Sequence, residues 1–374
     1  MAFNIQNYMT KGVARVIRDA ARATKASPAQ RAYFTGFAKA AIKATAKRRR
    51  SERGGEHIPP FLIASITSAC NLHCAGCYSR AGGACSDTAP VKQLTAEEWD
   101  KIFTEAEDLG ISFILLAGGE PLLRYDVIKA AAAHPDILFP IFTNGTYMQE
   151  KFVTLLDARR NLIPIISLEG DAAETDSRRG TGVYQKVNEA MKSLAARGIA
   201  FGVSVTVTTE NLNEVYNDAF LRGLENLGNK AVIYVEYVPV TEESKHLAPG
   251  EAAQARMLQE TKRLRKENKK MVFISFPGDE KSSGGCVAAG RGFFHINSHG
   301  GAEPCPFSPY SDINVKDTSL RAALASPLFK ALQTQGLLLD DHIGGCTLYM
   351  NREKVEAILA EKSVSFPQNI KKEI

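Results

Sequence analysis

The stretch ITSACNLHCAGCYSR, from Ile66 to Arg80, sets Cys70, Cys74 and Cys77 in the spacing C-x3-C-x2-C. A closed zinc site takes four ligands, and here His73 or a distant residue would have to supply the fourth. Four cysteines likewise close an iron-sulfur cube, whereas three leave one iron for a non-protein ligand. An open iron can bind a substrate or cofactor while the cluster delivers an electron. Three further cysteines, Cys286, Cys305 and Cys346, stand in Gly-rich surroundings near the other end of the chain, and Cys85 lies alone just past the first triad.

These residues need a frame to hold them. FLIASI runs directly into the first cysteine loop, and ISFILLA, ILFPIFT, LIPIISL, IAFGVSVTV and AVIYVEYV follow, alternating with helical stretches from about 124, near 149 to 159, from 183 to 197 and from about 211 to 226. Thr95, with Glu97 and Glu98 behind it, has the form of a helix N-cap with acidic residues in the first turn. Strands that are apolar on both faces, separated by helices, predict a parallel α/β sheet; curled into a barrel it gathers its loops at the C-terminal strand ends. The cysteine loop, GGEP at Gly118 to Pro121 and TNG at Thr143 to Gly145 would all lie at that end.

Taken in order, the C-x3-C-x2-C loop, GGEP, TNG and ISLEGDAAETDSRRGTGVY resemble the radical S-adenosylmethionine (SAM) enzymes over about residues 61 to 240. The resemblance implies a partial (β/α)6 TIM-like barrel of the radical SAM type. It implies an open [4Fe-4S] cluster on Cys70, Cys74 and Cys77 that chelates S-adenosyl-L-methionine and cleaves it reductively, yielding a radical that takes hydrogen from an unreactive carbon. Gly118 and Gly119 would let a ligand amine approach backbone carbonyls, with Glu120 as its acceptor. Ser167 would meet the ribose, and Arg178 or Arg179 the methionine carboxylate. Where the family often has an aromatic residue before its third cysteine, this chain has Gly76, with Tyr78 one position after that cysteine and a candidate for the cofactor pocket. Asn144, Glu236 and Tyr237, at strand ends, are the candidate substrate contacts.

Cys286 and Cys305 are separated as C-x13-G-x4-C, with a hairpin-like FFHINSHGGAEPCPF between helices, and Cys346 follows the stretch SLRAALASPLFKALQ. This resembles the SPASM and twitch extensions, and implies one auxiliary [4Fe-4S] cluster on Cys286, Cys305 and Cys346. Cys85, His342, Asp279 or the substrate would complete it. Cys85 is alternatively a free thiol placed to give hydrogen to a product radical, or a packing residue. The expected organisation is a helical arm over 1–56, a barrel over 57–245, a linking helix over 246–270, a small α+β auxiliary-cluster domain over 271–350, and a C-terminal helix and tail over 351–374.

Residues 1–56 hold 13 Lys and Arg against 3 Asp and Glu, a net of +10, so the remainder of a chain of net +5 carries −5. The arm repeats apolar residues at helical spacing, Val13, Val16, Ile17 and then Tyr33, Phe37, Ala41, which suits either a docked cap or a basic face on an anionic membrane surface. Seven cysteines, an odd count, with no secretory signal pattern, argue against a disulfide framework and for the cytoplasm, with peripheral membrane contact through the arm. The expected partners are a low-potential donor of the flavodoxin or ferredoxin type and a peptide or membrane-associated small molecule, lipids included. Nucleic-acid binding is disfavoured because the arm's aromatic residues sit on its apolar face. A non-catalytic electron carrier is disfavoured because such proteins usually ligate every iron themselves.

Overall fold

The computed structural model describes residues 4–88, 92–239, 241–276, 283–339 and 346–363. Among these residues nine strands form one sheet in the order β7-β6-β5-β4-β3-β2-β1-β8-β9. Six of them, β1 (Phe61–Ser65), β2 (Phe113–Ala117), β3 (Phe139–Thr143), β4 (Leu162–Ser167), β5 (Gly202–Val207) and β6 (Ala231–Glu236), are parallel and consecutive. The protein is thus an α/β half-barrel, with helices on the outside.

Alternation within the strands decides what faces where. Leu62, Ala64, Ile114, Leu116, Phe139, Ile141, Leu162 and Ile166 join Trp99, Phe103, Val127 and Val153 of the covering helices in one large core. The register puts Phe61, Ile63 and Ser65 on the other face, level with Phe113, Leu115 and Ala117, and carries that face on to Ser167 and Ser204. β7 (Val272–Phe276) extends the β6 flank, while β8 (Phe293–Ile296) adds in parallel to β1 and turns back as β9 (Ala302–Glu303). Phe276 and Phe293, on opposite flanks, bring their ring centroids to 5.6 Å, so the sheet is strongly curled. The 271–350 segment is therefore continuous with the barrel sheet.

The arm forms α1 (Ile5–Ala23) and α2 (Pro28–Arg53), each capped by a side chain, Asn4 and Ser27. Val13, Phe34 and Phe37 bury with Phe113 and Leu138, and partly buried Phe61 and Ile163 join them. The arm thus docks by its apolar face against the N-terminal ends of the strands. Arg48, only 3% exposed, ties it down by donating to the Gly110 carbonyl and to Ser112 Oγ at 3.2 Å. Ile42 stays 71% exposed between Lys39 and Lys43.

The remaining helices are α3 (Tyr78–Ala81), α4 (Ala96–Leu109), α5 (Tyr125–Ala131), α6 (Glu150–Ala158), α7 (Ala172–Arg179), α8 (Val183–Ala196), α9 (Leu212–Val215), α10 (Asp218–Asn226), α11 (Glu251–Glu267), α12 (Leu320–Leu324), α13 (Pro327–Thr334), α14 (Thr347–Met350) and α15 (Arg352–Ser363). Thr95 caps α4 with the full reciprocal box to Glu98. Two expected helices are broken in two. Asn217 caps a fresh start at α10, and Ser326 followed by Pro327 restarts α13. α7 occupies what reads as a loop in the sequence. Among the described residues no helix is long and apolar enough to cross a membrane.

Candidate active site

The cysteine loop leaves the C-terminal end of β1 and is held on three sides. Cys70 donates its N–H to Ser86 O and Ser86 donates back to Ser68 O, both at 2.9 Å, which pairs the loop with the Cys85 segment. Arg80 donates to the Leu72 carbonyl at 2.9 Å and the Cys70 carbonyl at 3.1 Å. Ala75 N–H reaches the carbonyl of Arg178 at 2.8 Å. The three thiols are half-buried and free of disulfides. A hydrogen bond from Cys85, together with the Leu72 N–H and the charges of Arg80 and Arg179, outweighs burial and draws the Cys70 thiol down to about 6. Burial raises Cys74. The thiolate is the form that ligates metal, so Cys70 is prepared for it.

His73, the alternative zinc ligand, instead places Nε2 2.9 Å from Asp87. Among the described residues no group of three or more His, Cys, Asp or Glu is placed to hold one metal ion. Thiols that take separate corners of a cube do not have to converge on a single point.

Under this loop lies GGEP. Gly119 N–H donates to Thr67 O and Glu120 N–H to Ala69 O, each at 2.8 Å. A β-carbon on Gly118 would overlap the Thr67 carbonyl oxygen, and one on Gly119 that of Ala69. The glycines are thus needed for close backbone contact with the cysteine loop. Glu120, 1% exposed, accepts from Thr143 Oγ1 at 2.6 Å, Asn144 N at 2.8 Å and Leu122 N at 2.9 Å, and braces β2 to β3. Three of its acceptor sites are taken up within the protein, two on Oε1 and one on Oε2.

Burial pushes the Glu120 carboxyl up from 4.5 to about 7, against the hydrogen bonds that pull it down. Because the folded value lies above the unfolded one, this contribution to stability is full below about 4.5 and is lost as pH rises through about 7. Glu120→Gln, neutral throughout, should flatten that part of the pH dependence of the metal-free protein. Urea midpoints taken across the range test this, and parallel curves for the two proteins would refute it.

The strand-four segment supplies the charged part of the site. Ser167, half-buried at the end of β4, lies 3.4 Å from Ser204 Oγ. Arg178 Nη1 donates to Glu169 Oε1 at 2.6 Å and Thr206 Oγ1 at 3.1 Å. Arg179 Nε donates to the same carboxylate at 2.7 Å and turns Nη1 toward the Cys74 sulfur at 3.9 Å. Glu169 is therefore a hub that sequence reading passes over. Its signal is a carboxylate at a strand end followed nine and ten residues later by two arginines.

The expected substrate contacts disperse. Asn144 is 6% exposed and donates to Asn71 Oδ1 at 2.9 Å, which stitches TNG to the cysteine loop. Glu236 has the parity of the helix side and accepts from Gln254 of α11. Successive strand residues point to opposite faces, so Glu236 and Tyr237 cannot share a pocket. Tyr237 is 2% exposed and its ring lies against Gly76.

Cys286, Cys305 and Cys346 are all buried. Burial, a hydrogen bond with Cys346 and the nearby Cys286 together raise the Cys305 thiol, so the three are neighbours. Cys85 pairs with Cys70, which sets it beside the first triad. Asp279 and His342 lie outside the described residues. Tyr78, directly after Cys77, contacts Phe307 of the hairpin with ring centroids 4.4 Å apart. A polar chain unseen in the sequence links β1, β8 and β9, with Ser65 Oγ 2.7 Å from His295 Nε2 and His295 Nδ1 2.7 Å from Glu303.

Three free thiols, one of them favoured as thiolate, with glycine backbone packed beneath them and a buried tyrosine hydroxyl beside them, suit a thiolate-held cluster and a ligand on it. Residues 64–221 match the Radical SAM superfamily. These residues form a radical SAM domain, and the protein is an enzyme whose cofactors are a [4Fe-4S] cluster and S-adenosyl-L-methionine. It is similar to "AdoMet-dependent heme synthase" of Methanosarcina barkeri, 28% identical across 70% of this chain and 81% of that one. Mycofactocin maturase MftC of Mycobacterium tuberculosis is 33% identical over 45% of this chain, but the match spans only 42% of MftC's own length. Streptococcus suis SuiB bound to S-adenosylmethionine shares the fold at a TM-score of 0.66 and 19% identity, over 84% of this chain and 79% of SuiB. SuiB has also been solved with precursor peptide SuiA, at a TM-score of 0.61 over 84% of this chain and 76% of that one.

Proposed function

We propose that Cys70, Cys74 and Cys77 hold the open [4Fe-4S] cluster, that S-adenosyl-L-methionine binds beside them, and that the enzyme removes hydrogen from an unactivated carbon of a peptide. The observation that carries this reading is the trio of free, half-buried thiols on the loop after β1, seated on the Gly118-Gly119 backbone. Cluster and cofactor together supply a 5′-deoxyadenosyl radical on one-electron reduction. The protein's own residues position them. Arg178 and Arg179 place cationic charge beside the loop, suited to a ligand carboxylate, and Ser167 offers a hydroxyl at the end of β4. Cys286, Cys305 and Cys346 would hold one auxiliary cluster next to the hairpin. An electron would come from a flavodoxin or ferredoxin.

SuiB, with its peptide, and the maturase support a peptide substrate. A tetrapyrrole is the second reading, favoured by the haem synthase match, which extends over more of the chain. Anaerobically reconstituted protein should carry about two cubane clusters and, with dithionite, form 5′-deoxyadenosine. Deuterated peptides and deuterated tetrapyrroles then decide between substrates by which one passes its label into that product. No 5′-deoxyadenosine from protein with its full iron content would end the reading.

A further inference from the structure

Tyr237 directly follows β6 and continues the parity of Ala231, Ile233 and Val235, the face shared with Ser204 and Thr206 across the register. Its backbone is fixed by donation to Val207 O at 3.0 Å. Its ring comes to rest on Gly76, the residue just before Cys77, where the backbone is left-handed at φ +64°. A β-carbon on residue 76 would stand 2.5 Å from the Tyr237 hydroxyl and 2.8 Å from the ring edge. No side chain fits at position 76 while Tyr237 holds this place, so the ring from β6 fills the space that a side chain on the cysteine loop would take. Meanwhile the hydroxyl, in a residue 2% exposed, is buried and has no hydrogen-bond partner. Buried hydroxyls are nearly always paired, so one that the protein itself leaves unpaired is free to bond a ligand or a water. Nothing structural needs that oxygen, because phenylalanine would pack the same ring without it.

We infer that Tyr237 is a cofactor-contact residue, whose hydroxyl pairs with the nucleoside part of S-adenosyl-L-methionine bound at the cysteine loop. The inference rests on the proposed cofactor site and names the contact within it. It also moves Tyr237 from the substrate to the cofactor. A tyrosine hydroxyl both donates and accepts, so it can meet a ring nitrogen, an amino group or a ribose hydroxyl.

Binding of S-adenosyl-L-methionine to the reconstituted holoenzyme, measured by equilibrium dialysis without reductant, tests this against Tyr237→Phe. Loss of one hydrogen bond should weaken binding about fivefold to tenfold, while the thermal midpoint of the unliganded protein stays level or rises, since an unpaired buried oxygen has been removed. Gly76→Ala, which crowds the hydroxyl, should also weaken binding, and by a smaller factor when made in Tyr237→Phe, because part of the clash has gone. Equal affinity of wild type and Tyr237→Phe overturns the inference and leaves the cofactor site standing. Wild-type holoenzyme that binds no S-adenosyl-L-methionine removes the cofactor site itself. A fall in affinity matched by a fall in thermal midpoint assigns the hydroxyl to packing and also overturns the inference.

Discussion

Alanine at Cys70, Cys74 and Cys77 together abolishes dithionite-dependent formation of 5′-deoxyadenosine and removes about half of the iron bound after reconstitution. The expectation follows from where the thiols sit. All three are half-buried on one loop, and that loop is fixed mainly by main-chain hydrogen bonds: Cys70 N–H to Ser86, Ser86 N–H to Ser68, Gly119 N–H to Thr67 and Glu120 N–H to Ala69. Truncation to alanine leaves every one of these intact, so the ligands are lost and the scaffold is kept. Unchanged far-ultraviolet circular dichroism and a similar thermal midpoint for the metal-free proteins separate ligand loss from unfolding. Cys286→Ala and Cys305→Ala act on the other set, buried and about 50 or more residues beyond the barrel's sixth strand in sequence, and leave measurable cleavage. Residual cleavage in the triple variant, with iron still bound, would place the open cluster elsewhere.

How much of this is readable in sequence depends on whether the determinant is local. Strands β1 to β6 announce themselves because both of their faces are covered, which demands apolar residues at nearly every position. The cysteine loop is legible because ligand spacing is a local property. α7 is not, since AAETDSRR has only Thr175 buried and no apolar stripe; it is started by Asp171, whose side chain accepts from Glu174 N at 3.0 Å. The pairing of β8 with β1, more than two hundred residues apart, has no local signature. Two features of the site have a local cause. Period-two alternation already forbids Glu236 and Tyr237 a common pocket. A carboxylate between two tight loops, as at Glu120, has main-chain donors at hand that compete with any ligand.

Glu169→Ala is expected to cost about 3–5 kcal/mol of stability in the metal-free protein and to weaken S-adenosyl-L-methionine binding in the reconstituted one. Glu169's side chain is 2% exposed, and it faces the guanidinium groups of Arg178 and Arg179, whose side chains are 19% and 10% exposed. The attraction between charges in such a pair offsets their desolvation, so removing the shared carboxylate leaves two cations in a poorly hydrated place with their cost uncompensated. Its other oxygen also accepts from Thr206 N–H at 3.1 Å, which ties the end of β4 to β5. Strain then passes to the site by a short route. Arg178, in the last turn of α7, has a carbonyl that holds Ala75 in the cysteine loop, and Arg179 reaches Cys74. Glu169→Gln keeps the shape and one acceptor oxygen but loses the charge, and should fall between wild type and alanine. Urea midpoints, compared at unchanged slope, give the stability order. A penalty below about 1 kcal/mol for alanine, the range of exposed ion pairs, would mean that the arginines find water or other partners and that Glu169 is no hub.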